Sequence, residues 1–311
     1  MKGWKLVTIS NEEQQQYKEE LKDRELYEEL YKVDYSKYKH IKVEKKDGVA
    51  LVTLNRPPHN FIPPRMLKEL VDIPLDLGQD PEVRAVVFTA EGENFCGGGD
   101  YQLFDFLQDK NDITLKYLNF DLARRSVWNW IELEKPSVAA VHGLVVGITC
   151  QITLLCDLTI AADDETTRFR DGHMLEGKAP GDGGVLAWTS RIGLARAKQY
   201  LYTSDDVYAR EAERIGLINA VVPPDKLLPT AIERATRLAN LPVLAIRWAK
   251  SAMNQYLRLH AIVCQNYAWA LQHASRGTPD EVEAMAALRE DRPAKFFDVR
   301  DPYKLFKSGK K

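Results

Sequence analysis

The chain has 311 residues, 45% of them hydrophobic, 28% charged and 9% aromatic, with 43 basic and 45 acidic side chains and a formal net charge of -2. That length allows one large α/β domain or two smaller ones with an extensive core. The near balance of charge excludes a broad electrostatic footprint for nucleic acid or an anionic membrane, which leaves small-molecule chemistry as the leading class.

The first forty residues are crowded with charges and hold no apolar stretch of secretory length. No later run has the length of a membrane span either. The cysteines, Cys96, Cys150, Cys156 and Cys264, include one close pair whose spacing fits neither a zinc knuckle nor a thioredoxin-type motif. Reduced thiols and a cytoplasmic location are therefore expected. Within residues 1–37, Tyr17, Leu21, Leu26, Tyr27, Leu30 and Tyr31 recur at roughly helical spacing. This reads as a charged N-terminal helical extension, either packed on the body or a neighbouring subunit, or simply solvated.

From residue 38 short β-rich runs alternate with longer helical patterns. Residues 49–55, 83–90, 138–141, 158–162 and 217–222 read as strands, and 64–77, 115–133, 194–202 and 227–239 as helices. That alternation predicts right-handed βαβ units in an α/β core spanning 38–240. Residues 243–275 are too long an apolar stretch for a strand and precede a break at Gly277-Thr278-Pro279 and a helix over 280–290, so 241–311 is expected to be helical. The closing Lys304, Lys307, Lys310 and Lys311 read as a solvated tail.

Two loops carry chemistry. Asn94-Phe95-Cys96-Gly97-Gly98-Gly99-Asp100 follows a strand and precedes a helical pattern, and Pro136 to Gly147 runs from a strand through a loop into the apolar helix 148–156. Each is a place where backbone N–H groups without helical partners can face a cleft, and two together can polarise a carbonyl without metal or charged side chain. A tight turn is the plain alternative for the first. Dinucleotide, NTP and serine-hydrolase motifs are absent, and no cofactor or metal is expected.

Six blocks in order resemble the crotonase superfamily of enoyl-CoA hydratases and isomerases: residues 49–57 with Asn55-Arg56-Pro57, then 95–100, 180–184, Glu211-Ala212 with 216–219, 221–223, and 292–296. The resemblance covers about residues 40–297. It implies a ββα spiral core with a helical C-terminal region, 241–311, that mediates trimerisation, giving a homotrimer or homohexamer. It also places the two oxyanion amides on Gly99 and Ile148.

The hydratases of this superfamily use two glutamates; here their positions match Gln151 and His173. Gln151 can orient water but cannot exchange a proton near neutral pH, so ordinary enoyl-CoA hydration is not expected. Imidazole can take a proton and return it. It needs a partner for its other nitrogen, and Asp182 is the candidate with Glu176 as a rival. The His173 to Asp182 spacing is similar to that of 6-oxocamphor hydrolase and its β-diketone hydrolase relatives, which implies retro-Claisen cleavage of a carbon–carbon bond between two carbonyls.

His173 and Asp182 are thus the expected catalytic pair, Gly99 and Ile148 the oxyanion hole, and Gln151, His59, His142 and Trp188 substrate contacts. The alternatives are an enzyme acting on an acyl-CoA substrate, with Lys295 near the cofactor phosphates, and a catalytically silent scaffold that binds an acyl ligand.

Overall fold

The computed structural model describes residues 10–20, 22–100 and 113–296; the lysine-rich tail lies outside them. The N-terminal extension forms α1 (Asn11–Glu20) and α2 (Arg24–Leu30). Helix α1 buries no residue, and Tyr17 is exposed, so this helix is solvated in the isolated chain. Anchoring begins at the 3-10 turn Tyr35–Lys37, where the Tyr35 and Tyr38 hydroxyls donate to Asp80 and Asp76.

The strands in chain order are β1 (Ile41–Lys46), β2 (Val49–Leu54), β3 (Ala85–Ala90), β4 (Ser137–Val141), β5 (Leu144–Val146), β6 (Leu158–Ala162), β7 (Arg168–Arg170), β8 (Val207–Tyr208) and β9 (Ala220–Val222). A six-stranded sheet has the order β1-β2-β3-β4-β6-β9. Only its β1-β2 pair is antiparallel, joined by Asp47-Gly48 with both φ angles positive, as a two-residue hairpin turn requires. The central parallel strands β3 and β4 are buried on both faces. Val86 and Phe88 of β3 and Ala139 and Val141 of β4 enter one apolar cluster, while Ala85, Val87, Val138 and Ala140 enter the other.

The remaining helices are α3 (Pro64–Gln79), α4 (Ile113–Glu132), α5 (Ile148–Leu155), α6 (Gly184–Thr203), α7 (Ala209–Arg214), α8 (Leu227–Ala239), α9 (Val243–His260), α10 (Asn266–Ser275) and α11 (Pro279–Arg289). Helix α8 covers the second cluster through Ala231, Ala235 and Ala239, whose four-residue spacing sets a narrow face against the sheet. Helix α3 faces the first cluster with Met66, Leu70, Ile73 and Leu77. Pro74 inside α3 cannot donate to the Leu70 carbonyl; the Trp130 indole does so at 3.2 Å. A helix interruption thereby becomes an inter-helix tie.

The expected α/β core and helical C-terminal region are present. Residues 243–275 form one helical run in which α9 passes through the π-helical segment Ala261–Gln265 into α10. The expected strand over 217–222 shortens to β9, and the expected helix over 194–202 is the second half of α6, kinked at Gly193. The small sheet β5-β7-β8 and the edge strand β1 were not apparent in the sequence. The strands of the small sheet have two or three residues, too few to show a two-residue alternation.

Candidate active site

The two glycine loops lie side by side because short β bridges hold them there. Cys96 N–H donates to Leu144 O and Val146 N–H to Cys96 O, each at 3.0 Å. A Cβ on Gly147 would lie 3.5 Å from Gly98 Cα. Gly147, at φ 68 and ψ -151, precedes α5 in a conformation open only to glycine, and it puts Ile148 at the first position of the helix, where the N–H has no intrahelical acceptor. Among the described residues the N–H groups of Gly99 and Ile148 have no acceptor. Two unpaired amides on adjacent loops are the groups that an oxyanion hole would need.

His173 approaches from the segment after β7. Its neighbour Gly172 would, with a Cβ, sit 3.9 Å from Val146 Cγ1, the atom that a Cβ on Gly98 would meet at 3.3 Å. The segment that carries His173 is therefore close to the glycine loops. His173 itself is 5% exposed and is held chiefly by Asp171: Nδ1 lies 2.8 Å from Asp171 Oδ1, which also accepts the His173 main-chain N–H at 3.2 Å.

The sequence offers Asp182 and Glu176 as partners; the structure puts Asp171 nearest. Two residues from His173 in an irregular segment, Asp171 matches neither helical nor strand spacing and so carries no signal in the sequence. Glu176 has its carboxylate on Lys178 at 3.1 Å and makes no direct bond to the ring among the described residues. Asp182 lies on the other side of the ring, its Oδ2 3.7 Å from Nε2.

Gln151 and Trp188 do not sit as expected of substrate contacts. Gln151 is fully buried; its Nε2 donates to Asp171 Oδ2 at 3.0 Å and its Oε1 accepts from Trp188 Nε1 at 3.1 Å. Trp188 is also fully buried. Together they form a chain, Trp188 to Gln151 to Asp171 to His173, in which each donor meets an acceptor. Gly184 is required beside it, because a Cβ there would collide with the Asp171 carboxylate.

The Nε2 side differs. Helix α10 brings Gln272 Nε2 to 2.9 Å from His173 Nε2, while Gln272 Oε1 and Asp182 Oδ1 are buried without partners. Gly181 leaves room for this contact: a Cβ there would lie 2.7 Å from Gln272 Cβ. Gln272 is a second site residue that the sequence did not reveal, since it is ninety-nine positions from His173 on a helix without a distinguishing motif.

Charge follows from this geometry. Burial disfavours imidazolium, but the Asp171 and Asp182 carboxylates outweigh it and raise the His173 pKa well above the ordinary histidine range. Burial raises the Asp182 carboxyl, only partly opposed by His173. Asp171, His173 and Asp182 also form a group whose ligand-type atoms lie within 4.8 Å of one another, which linear spacing had not suggested. The Asp171 oxygens are already occupied by His173 and Gln151, which leaves only Nε2 and Asp182 for an ion. An ion-paired histidine fits these donors better than a metal centre.

The other expected contacts are peripheral. His59 is partly exposed, with Nδ1 2.8 Å from Asn94 Nδ2, although its carbonyl accepts from Gly97 N–H in the first glycine loop. His142 has Nε2 3.0 Å from Gly92 O and lines a separate cleft with Thr53, Thr89 and Leu227. Lys295 bonds through its main-chain N–H to Glu283. All four cysteines are free, and burial raises the Cys96 thiol to about 11.

A family model for enoyl-CoA hydratase/isomerase matches residues 44–299. A probable enoyl-CoA hydratase of Mycobacterium bovis is 32% identical over 261 residues, covering 83% of this chain and 98% of its own. The crystal structure of an enoyl-CoA hydratase/isomerase from Mycobacterium paratuberculosis superposes with a TM-score of 0.75 at 30% identity, covering 81% and 99% of the two chains. A β-diketone hydrolase from the cyanobacterium Anabaena, bound to (S)-3-oxocyclohexyl acetic acid, gives a TM-score of 0.72 at 24% identity with coverage of 78% and 96%, a likeness of fold.

Proposed function

The chain belongs to the enoyl-CoA hydratase/isomerase family, and from that premise we propose that it is a hydrolase cleaving the carbon–carbon bond of a β-diketone, cyclic and apolar, by a retro-Claisen route. The observation that carries this reading is His173, held at Nδ1 by Asp171 and with Nε2 beside Asp182, at a position where the resemblance puts a hydratase glutamate. Neutral His173 takes a proton from water at Nε2 as the water oxygen bonds to one carbonyl carbon. The resulting oxyanion collapses, the bond to the carbon between the carbonyls breaks, and its electron pair becomes an enolate. Imidazolium then returns the proton to that carbon, giving a carboxylic acid and a ketone. The Gly99 and Ile148 amides are suited to stabilise an oxyanion on this path. Asp171 fixes the tautomer, and Asp182 favours the imidazolium. The decisive assay is hydrolysis of a cyclic β-diketone by the wild type and by His173→Ala; equal rates would sink the assignment.

A second reading, action on a coenzyme A thioester, draws support from relatives at 32–34% identity named as probable enoyl-CoA hydratases. Thermal unfolding with millimolar coenzyme A tests it, since a ligand of the native state raises the midpoint. Under either reading a homotrimer or homohexamer would cover Leu244, Trp248, Tyr256 and Leu259, exposed on α9 at spacings of three, four and eight residues; light scattering gives the subunit number. No helix among the described residues is long and apolar enough to cross a membrane.

A further inference from the structure

At the start of β4, the opposite end from the glycine loops, a cleft of about 250 Å³ opens between α3, α4 and α9. Two cations line it. Lys135 is 1% exposed and donates to the Asp80 carbonyl; Arg247 has a buried Nε without a hydrogen-bond partner. Among the described residues neither makes an ion pair. Of the nearby carboxylates, Asp80 is engaged with Lys45 and Tyr35 and Glu132 with Arg258 through two bonds of 2.7 Å, while Glu134 lines the cleft. Burial, then the Arg247 charge, lowers the Lys135 pKa to about 8, as expected of a buried ammonium that lacks an anion of its own. Pro74, Leu75 and Leu133 supply an apolar wall. A Cβ on Gly78 would meet nothing within 4 Å, so this part of α3 leaves open space.

We propose that this cleft is a binding site for a small carboxylate with a short apolar chain, the carboxylate between Lys135 and Arg247 and the chain against Pro74, Leu75 and Leu133. A volume just under the ~300–1,000 Å³ of common ligand pockets limits the chain to a few carbons. A further lining residue, Glu134, favours a monoanion over a phosphate dianion by repulsion. Because the cleft is separated from His173 by the length of β4, the site stands independently of the reaction proposed above.

Calorimetric titration of the full-length protein with hexanoate tests the site, with hexanol and inorganic phosphate as comparison probes. The expected result is saturable hexanoate binding that weakens about tenfold or more in Arg247→Gln, the scale of one lost charge-assisted hydrogen bond. Gly78→Leu should abolish it by filling the cleft, while His173→Ala, altered at the other site, should retain it. Gly78→Leu removes a helix-weakening residue, so it also serves if Arg247→Gln fails to fold. Unchanged affinity in a folded variant at either position 247 or 78, no saturable binding, loss in His173→Ala, hexanol binding as tightly as hexanoate, or phosphate binding more tightly than hexanoate would each overturn the proposal.

Discussion

The two sides of the His173 ring are built differently. On the Nδ1 side, Trp188, Gln151 and Asp171 form a closed chain of hydrogen bonds in the core. On the Nε2 side, Asp182 stands at 3.7 Å with one oxygen unpartnered, and Gln272 presents an amide whose oxygen is also unpartnered. Buried polar groups in native proteins are nearly always satisfied. The satisfied side therefore holds the imidazole in place, and under the proposed reaction the unsatisfied side offers groups for a water and a substrate carbonyl.

The largest expected effect removes the group between the two sides. His173→Ala should lower kcat on a cyclic β-diketone by about 10²–10⁴-fold, the usual contribution of a positioned acid–base group, with near-wild-type circular dichroism confirming the fold. Next, Gln151→Glu, which places a glutamate where the resemblance matches one in the hydratases, should not create a hydratase. It would set a second carboxylate about 3 Å from Asp171 and deprive that residue of a donor, costing about 1–3 kcal/mol in urea unfolding at neutral pH. Unchanged stability would show that the closed chain is not as tightly constrained as its bonds indicate.

A pH comparison separates the carboxylates. Both raise the His173 pKa, so the neutral base is scarce at neutral pH and kcat/KM should climb on the alkaline side. Removing either charge lowers that pKa and moves the rising limb to lower pH. Asp171→Asn should move it further than Asp182→Asn, since Asp171 is the stronger charge acting on the ring and is hydrogen-bonded to it. Asp171→Asn should also lower the maximum by disturbing the tautomer. Equal shifts would erase the distinction between the two sides. The linked stability has the same sign: with its pKa raised in the fold, His173 contributes fully below its unfolded value of about 6.5 and loses that contribution as pH rises through the folded value. The smallest effect is expected of Gln272→Ala, a few-fold change in KM with kcat less affected, because it removes a neighbour of Nε2 without altering charge.

Much of this was legible because some chemistry is local. Short β-rich runs gave β2, β3, β4 and β6, and helical spacing gave α3 and α8 with ends within about two residues of those observed. Ordered motifs pointed to Gly99, Ile148 and His173 together. The partnership around His173 was another matter: Asp182 was named from its motif position, yet the closer bond belongs to Asp171, and Gln151 and Trp188 support that bond from the core instead of facing a substrate.

By itself, then, the sequence determined the α/β class and the order of the elements, and through its resemblance to a family the expectation that Gln151 and His173 stand where hydratases carry glutamates, because periodicity, turn chemistry and residue identity are written along the chain. Tertiary structure alone decided which carboxylate holds the ring, that Gln272 reaches it from a helix ninety-nine residues away, and that Lys135 and Arg247 share a cleft. Those are matters of distance across packed elements, and hydrogen bonds and charges act through space, whatever their separation in sequence.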